Sequence, residues 1–231
     1  MRIAVFGANG PTGRHLTDQA LDAGHEVVAV TRRPGSLSPT RPGLTVAVAD
    51  ATDPAAVDAA LSGTDAVLSA LGARFSKETI TTYSASATAI TEAMTRHGIK
   101  RLLAVSSSIA DPHWRPTGAH FFNHVLDPLV NRRLGRTLHE DMRRMEDVIR
   151  RTELDWTLVR PSGLFEHPVV TDFHTAENSA DGVFTARADL AASMLREMEE
   201  RRYVRTAMGV ITTAVKPNIA KLIWDEGVKK K

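Results

Sequence analysis

The stretch AVFGANGPTGRHL, residues 4–16, places Gly7, Gly10 and Gly13 three positions apart, directly after a short apolar run. Glycine accepts backbone conformations that other residues avoid and lets a second backbone or a ligand come close. A strand that passes through such a loop into a helix is typical of sites for a dinucleotide, because the N–H groups of the helix terminus face its diphosphate. The alternative is an ordinary tight turn. We predict a dinucleotide-binding loop formed by Gly7, Asn9, Gly10, Pro11, Thr12 and Gly13.

The end of the second predicted strand is basic where sites for NAD usually carry an acidic residue. The sequence there is VTRRPG, with Arg32 and Arg33. An acidic side chain would hold the ribose 2′-hydroxyl of NAD, whereas guanidinium groups pair with a 2′-phosphate. We therefore expect NADP(H) to be preferred over NAD(H), the alternative being that the arginines are solvated loop charges.

Two further strand ends are placed to contact the same cofactor. Asp50 closes the run LTVAVAD and is positioned, with Ala51, to meet the adenine amino group. The segment DATDPAAV also has helix-start chemistry, so Asp50 is alternatively an N-cap or a turn former. The segment SALGAR (69–74) closes the next strand beside the ribose. Its predicted cofactor-binding residues are Ala70, Leu71, Gly72 and Arg74.

Short apolar runs alternate with helical segments through the first two thirds of the chain, which is the pattern of a parallel sheet covered on both faces. The predicted strands are 2–7, 26–32, 44–50, 65–71, 101–108 and 155–163. The predicted helices are 11–24, 53–63, 77–98 and 137–153. Three of these helical segments end in a glycine at the position of a helix C′ residue, namely Gly24, Gly63 and Gly98.

Later segments are shorter, with strands predicted at 169–175, 182–185 and 203–213 and a helix at 187–200. The fold class is thus α/β, a Rossmann-like doubly wound parallel sheet with a small C-terminal substrate-side region. We expect one domain, residues 1–231, with an insertion or lid at 110–136 and substrate-side elements at 163–231.

Composition narrows the function classes. Apolar residues make up 42% and charged residues 24%, which are ordinary globular values, and cysteine is absent. Disulfides, thiolate metal sites and cysteine nucleophiles are therefore excluded, and no run of about 18 apolar residues is present to span a bilayer. The net charge of +2 is scattered, and the lysines at 229–231 fit a solvated tail. We expect a cytoplasmic monomer or homodimer without metal, membrane or nucleic-acid binding.

The motifs together resemble an atypical short-chain dehydrogenase/reductase of the NAD(P)H-binding, NmrA-like group, and within it the biliverdin reductase B or flavin reductase type. The resemblance covers residues 1–165 well and the remainder loosely. It is carried by GANGPTG (7–13), TRRP (31–34), VADATDP (48–54), VLSALGAR (67–74), LLAVSSS (102–108) and DWTLVRPSGLF (155–165).

This resemblance implies roles for two strand ends. Serines at the end of the fifth strand lie near the nicotinamide, which makes Ser107 the predicted catalytic residue, Ser106 a cofactor contact and Ser108 a substrate contact. A proline loop after the sixth strand, Pro161 with Ser162, lies against the nicotinamide amide. The alternative for the three serines is an ordinary exit from a strand.

The sequence departs from the resemblance at the proton donor. Related dehydrogenases use Tyr-x-x-x-Lys on the following helix, where the tyrosine hydroxyl protonates the new alkoxide. The only tyrosines here are Tyr83 and Tyr203, and the motif positions fall near Leu138 and Met142. His139 and Arg143 share this spacing, but we interpret them as surface charges of a helix.

The insertion contains His113, Trp114, His120, Phe121, Phe122 and His124. We predict His113, Trp114, Phe121 and Phe122 to line the substrate pocket, the alternative for the aromatic residues being that they pack the insertion onto the core. The leading hypothesis is an NADPH-dependent reductase of a flat conjugated acceptor, such as a flavin or quinone, because such an acceptor delocalises charge and needs no tyrosine. A non-catalytic NADP(H) sensor and a biosynthetic isomerase or tailoring enzyme are the alternatives.

Overall fold

The computed structural model of the chain describes residues 1–33, 37, 41–73, 76, 78–117 and 135–217. Strands and helices alternate within them, with a short 3₁₀ turn at Ser108–Ala110. The strands are β1 (Arg2–Phe6), β2 (Glu26–Thr31), β3 (Leu44–Val48), β4 (Ala66–Ser69), β5 (Arg101–Val105), β6 (Asp155–Pro161), β7 (Gly163–Phe165), β8 (Phe173–Glu177), β9 (Phe184–Ala186) and β10 (Thr206–Thr212). The helices are α1 (Pro11–Asp22), α2 (Pro54–Leu61), α3 (Thr82–His97), α4 (Arg136–Arg150) and α5 (Arg187–Glu200).

Eight strands form one twisted sheet in the order β3-β2-β1-β4-β5-β6-β10-β8. Neighbouring strands are parallel except β8, which runs antiparallel to β10. The strand order reverses between β1 and β4, and in open sheets of this kind ligands bind in the crevice outside the carboxyl ends at that point. The predicted doubly wound parallel sheet is confirmed.

Helices cover both faces of the sheet, which explains why the strands are apolar at nearly every position. Phe6, Leu102 and Leu158 point to one face and pack with α2, α3 and α4. Val5 and Leu103 point to the other face and pack with α1 and α5. Since α1 starts directly after β1, the packing of this sheet fixes where the glycine loop lies.

The helix ends follow local sequence signals. Asp53 caps α2, since its carboxylate accepts hydrogen bonds from the backbone N–H groups of Ala55 and Ala56. Gly24, Gly63 and Gly98 all have positive φ just beyond their helices, as predicted. The N-terminus of α3 is different, because Asp141 of α4 accepts from the backbone N–H of Tyr83 at 2.8 Å.

The late elements differ from the sequence prediction in detail. The strand expected at 169–175 lies instead at Phe173–Glu177, where it pairs with β10 at the edge of the sheet. β7, which pairs with β9 in a separate small sheet, was not predicted, because its three residues are too few to show a periodicity. Residues 118–134 of the insertion and the lysines at 229–231 lie outside the described residues.

Candidate functional site

The glycine loop is built around close backbone approaches. Gly7 has a φ of 76°, and a Cβ there would lie 2.6 Å from the carbonyl oxygen of Ala70 at the end of β4. A Cβ on Gly13 would lie 2.1 Å from the carbonyl oxygen of Gly7. The backbone N–H of Gly10 donates to the same Gly7 oxygen at 2.8 Å. A side chain at Gly7 or Gly13 would therefore displace the loop from the switch point of the sheet.

The glycine loop places the N-terminus of α1 at the crevice. Pro11 occupies the first turn, and no side chain among the described residues caps the helix at Gly10. Asn9 is held by Arg14, whose guanidinium donates to both its carbonyl and its side-chain oxygen. Thr12 is buried, and its hydroxyl accepts from Arg187 at 3.2 Å. Open N–H groups at a helix N-terminus fit a diphosphate, so the residues present suit a bound dinucleotide.

The end of β2 presents both predicted arginines to solvent. Arg32 lies 3.9 Å from Asp50 Oδ2, and the backbone N–H of Arg33 donates to the Thr31 hydroxyl. Hydrogen bonds from the backbone and hydroxyl of Thr52 to Oδ1 lower the pKa of Asp50, and the charge of Arg32 adds to this. Asp50 therefore forms a turn, as one of the alternatives had it, while its Oδ2 is turned toward Arg32. The buried Ala51 follows it.

A tyrosine of α3 holds the segment that follows β4. Ala70 and Leu71 are half-buried, Gly72 is exposed, and Arg74 lies outside the described residues. The Tyr83 hydroxyl accepts from the backbone N–H of Ala73 at 3.0 Å. Burial raises the pKa of this tyrosine, so it stays protonated. Tyr83 therefore holds the segment after β4 in place through this hydrogen bond.

The three serines after β5 have different environments. Ser106 and Ser108 are buried and donate to Glu146 at 2.7 Å and to the carbonyl oxygen of Arg160 at 3.1 Å, respectively. Ser107 is half-buried, and its hydroxyl accepts weakly from the N–H of Ile109 at 3.3 Å. Ser107 is thus the serine that the strand end presents outward. The full burial of Ser108 argues against its predicted contact with a substrate.

A buried ionic network lies behind these serines. Glu146 of α4 accepts two hydrogen bonds from Arg160, at 3.0 and 2.7 Å, and one from Arg150 at 2.8 Å. Burial acts to raise the pKa of Glu146, but the hydrogen bonds and charge of Arg160, with the Ser106 hydroxyl, outweigh it and leave the pKa lowered. The far side of Arg160 lies 3.5 Å from Asp111. The Glu146 carboxylate is therefore ionised, and its hydrogen bond from Ser106 holds the end of β5 in place.

The predicted proline loop follows β6 directly. Pro161 is buried and pairs with Val210 of β10. The backbone N–H of Ser162 donates to the Thr185 hydroxyl at 3.1 Å, and its side chain donates to the carbonyl of Gly182. The loop is thus held at the carboxyl edge beside the serines, and its contact with a nicotinamide remains a prediction.

The described beginning of the insertion is anchored to the segment between β8 and β9. Asp111 accepts from the Ser179 hydroxyl, and the buried indole N–H of Trp114 donates to the carbonyl of Ala180 at 3.1 Å. This contact favours the packing alternative for Trp114. His113 is exposed, whereas Phe121 and Phe122 lie outside the described residues.

The helix α4 places apolar side chains where a Tyr-x-x-x-Lys pair was sought. Leu138 and Met142 are buried in the core. The interpretation of His139 as a surface charge is wrong, because this side chain is buried against the core, whereas Arg143 is exposed as expected. The spacing of Leu138, Met142 and Met145 puts His139 beside the same apolar face, and that pattern could have shown its burial.

Several charged residues that support the site were not predicted from the sequence. Arg160 interrupts an apolar strand and Glu146 lies on the apolar face of α4, so each was visible as a charge in need of a partner. Arg187 and Glu166 carry no such signal.

In the described part of the chain, no group of three His, Asp or Glu is placed to hold a metal ion. None of the helices found there combines the length and the apolar character that crossing a bilayer requires.

Comparison with known proteins agrees with this geometry. The model of a family described as NAD(P)H-binding matches residues 7–201. Uncharacterized proteins of Mycobacterium bovis and Mycobacterium tuberculosis are 46% identical over 68 residues, which is 29% of this chain but only 8% of their length. The chain therefore spans a small part of these relatives.

Two solved structures share the fold over nearly their whole length. A short-chain dehydrogenase/reductase from Veillonella parvula in complex with NADP has a TM-score of 0.77 at 20% identity, covering 94% of this chain and 98% of its own. An anaerobilin reductase from Escherichia coli O157:H7 has a TM-score of 0.74 at 20% identity, covering 94% and 100%. The glycine loop at the switch point and the family match over residues 7–201 lead to one conclusion: the chain belongs to the NAD(P)H-binding family of Rossmann-fold proteins.

Proposed function

We propose that this protein is an NADPH-dependent reductase that transfers hydride to a flat conjugated acceptor, such as a flavin, a quinone or a tetrapyrrole. The observation that carries the proposal is a contrast between the serine that follows β5 and two positions of α4. Ser107 faces outward there, while the helix positions where a tyrosine and lysine were sought hold Leu138 and Met142, buried in the core. At the end of β5 the site thus presents the hydroxyl of Ser107, and the two described motif positions on α4 hold no tyrosine or lysine.

Each part of the dinucleotide has residues suited to hold it. The loop Gly7–Gly13 and the N-terminus of α1 bind the diphosphate. Arg32 and Arg33 bind the 2′-phosphate, and Asp50 meets the adenine through Oδ2. The segment 70–72 lies along the ribose. The loop of Pro161 and Ser162 positions the nicotinamide end, and the buried Ser106 supports it indirectly, through its hydrogen bond to Glu146.

Bound NADPH supplies the hydride, and the side chains govern where the acceptor lies and how charge is stabilised. The hydroxyl of Ser107 can donate to an oxygen or nitrogen of the acceptor as negative charge develops. Ser106, Ser108 and Glu146 fix the backbone on either side, so this hydroxyl is held in place. His113, in the described start of the insertion, borders the acceptor.

The class of acceptor follows from how the reduced product obtains its proton. A simple ketone forms a localised alkoxide, which requires a nearby acid in the transition state. A conjugated acceptor spreads the same charge over several atoms and takes its proton from water. The fold shared with an anaerobilin reductase agrees with an acceptor of this class.

Turnover with three acceptors tests the proposal. Purified protein is mixed with NADPH and FMN, a naphthoquinone or an aliphatic aldehyde, and the loss of absorbance of the reduced nicotinamide is followed. We expect turnover with FMN or the quinone and none with the aldehyde. Turnover with the aldehyde alone contradicts the proposal, and NADPH binding without turnover on any acceptor favours the non-catalytic sensor.

The location and assembly of the protein belong to the same proposal. We place it in the cytoplasm as a monomer or homodimer acting on a small molecule.

A further inference from the structure

Arg187 reaches from α5 to the glycine loop. Its Nη1 donates to the hydroxyl of Thr12 at 3.2 Å, and its side chain is only 16% exposed. Thr12 lies in the first turn of α1, where the N–H groups face the crevice. A guanidinium is therefore already in place beside the loop that is expected to hold a diphosphate.

The packing of two helices fixes this arrangement. Gln19 of α1 donates to the carbonyl of Ala188 at 3.0 Å, which holds the first turn of α5 against α1. Both helices begin at the carboxyl edge, because α1 follows the parallel strand β1 and α5 leads into the amino end of the parallel strand β10. The positive ends of both helices thus lie at the same edge of the sheet.

Glu166 holds the guanidinium from the other side. Its Oε1 lies 2.7 Å from Arg187 Nε, and its Oε2 lies 3.6 Å from His15 Nε2. The carboxylate is 63% exposed and lines a groove of about 350 Å³ with Asn9, Pro11, Arg14, His15 and Asp18. An ion pair with so exposed a partner contributes little stability, so another anion can replace it.

We infer that Arg187 binds the diphosphate of the dinucleotide together with the N-terminus of α1, and that Glu166 competes with the diphosphate for this guanidinium. Arginine pairs with phosphate oxygens through two parallel hydrogen bonds, a geometry that lysine lacks. The inference rests on the proposed dinucleotide site and adds a binding residue from the far end of the chain. Because NADPH and NADH share the diphosphate, Arg187 must act on both alike.

Calorimetric titration with NADPH and with NADH tests the inference. We expect Arg187→Gln to weaken the binding of both dinucleotides by a similar factor, about tenfold, since a hydrogen-bonded charge is lost. Glu166→Gln should tighten the binding of both. Arg196→Gln is the matched control, because Arg196 lies on the same helix but stacks over the Phe173 ring at 4.6 Å, and it should change neither affinity. The melting temperature of each variant shows that it is folded.

The outcomes separate this inference from the proposed function. If the unaltered protein binds neither dinucleotide, the proposed function fails. If it binds them and Arg187→Gln binds both equally well, only the role of Arg187 is overturned. A loss confined to NADPH would move Arg187 to the 2′-phosphate and also overturn the inference. Should Arg187→Gln fail to fold, Glu166→Gln decides alone, and unchanged or weaker affinity contradicts the inference.

Discussion

Glu146 of α4 and Arg160 of β6 meet in two hydrogen bonds, at 3.0 and 2.7 Å, directly behind the serines that end β5. The same carboxylate accepts from the Ser106 hydroxyl. Both charges are almost fully buried, so each depends on the other. The pair therefore ties the helix next to the site to the strand end that presents Ser107.

Removing the carboxylate charge should destabilise the protein. We expect Glu146→Gln to lower the free energy of unfolding by about 3 kcal/mol at neutral pH, because it leaves the buried guanidinium of Arg160 poorly compensated. Urea unfolding measures this. Glu140→Gln on the same helix is the control, since Glu140 is half-exposed and lies 3.7 Å from Arg136, and it should cost little. Equal effects of the two changes would contradict the account.

The pH dependence of the same variant has a definite sign. The pKa of Glu146 is lowered from its ordinary value of 4.5, so the folded state binds a proton less readily than the unfolded state. Its contribution to stability is present above that value and is lost as the pH falls through the lowered pKa. The gap in unfolding free energy between the unaltered protein and Glu146→Gln should therefore shrink in acid. A gap that widens as the pH falls would be inconsistent with a lowered pKa.

The glycine loop should not tolerate a side chain at Gly13. A Cβ there would lie 2.1 Å from a backbone oxygen, so Gly13→Ala must displace the loop. We expect a loss of about 2 kcal/mol or more in unfolding free energy, together with loss of dinucleotide binding. Gly72→Ala serves as the control for stability, because a Cβ there meets no described atom within 4 Å. Normal dinucleotide binding by the Gly13→Ala protein would show that the close approach is unimportant.

The two arginines after β2 should discriminate between the cofactors. We expect Arg32→Ala and Arg33→Ala each to weaken NADPH binding by about tenfold and to leave NADH binding nearly unchanged, because only NADPH carries the 2′-phosphate. Arg96→Ala is a surface control, since Arg96 lies at the end of α3 and pairs with Asp58 of α2. Equal losses for NADPH and NADH would refute the assignment to the 2′-phosphate.

Ser107 should affect turnover more than cofactor affinity. Ser107→Ala removes a donor that the charge developing on the acceptor requires, and we expect kcat to fall by roughly tenfold or more. The dissociation constant for NADPH should change little. Ser107→Thr keeps a hydroxyl and should restore part of the rate. A rate for Ser107→Ala equal to that of the unaltered protein would remove this serine from the mechanism.

The parts of the fold that depend on local pattern could be predicted from the sequence. The glycine loop, the first six strands and α5 are encoded by runs of neighbouring residues, and their positions agree with the structure. β7 and β8 are less predictable because β7 has only three residues and β8 is an edge strand. Their positions depend on their pairing with β9 and β10.

The site was predictable only where its residues follow strands. Ser107 and the glycine loop each come directly after a strand of the parallel sheet, so topology alone places them at one edge. The contact between Arg187 and Thr12 joins residues that are 175 positions apart, and no local pattern encodes it. The burial of Trp114 against Ala180 likewise depends on a distant segment, which is why its role stayed open from sequence.

Isothermal titration of the unaltered protein with NADPH and NADH tests the central claim most directly, because every role assigned to the crevice depends on a bound dinucleotide. We predict saturable binding of one molecule per chain, with NADPH bound more tightly than NADH. Absence of heat with both reduced cofactors, and with their oxidised forms, from a protein that melts cooperatively would contradict the account.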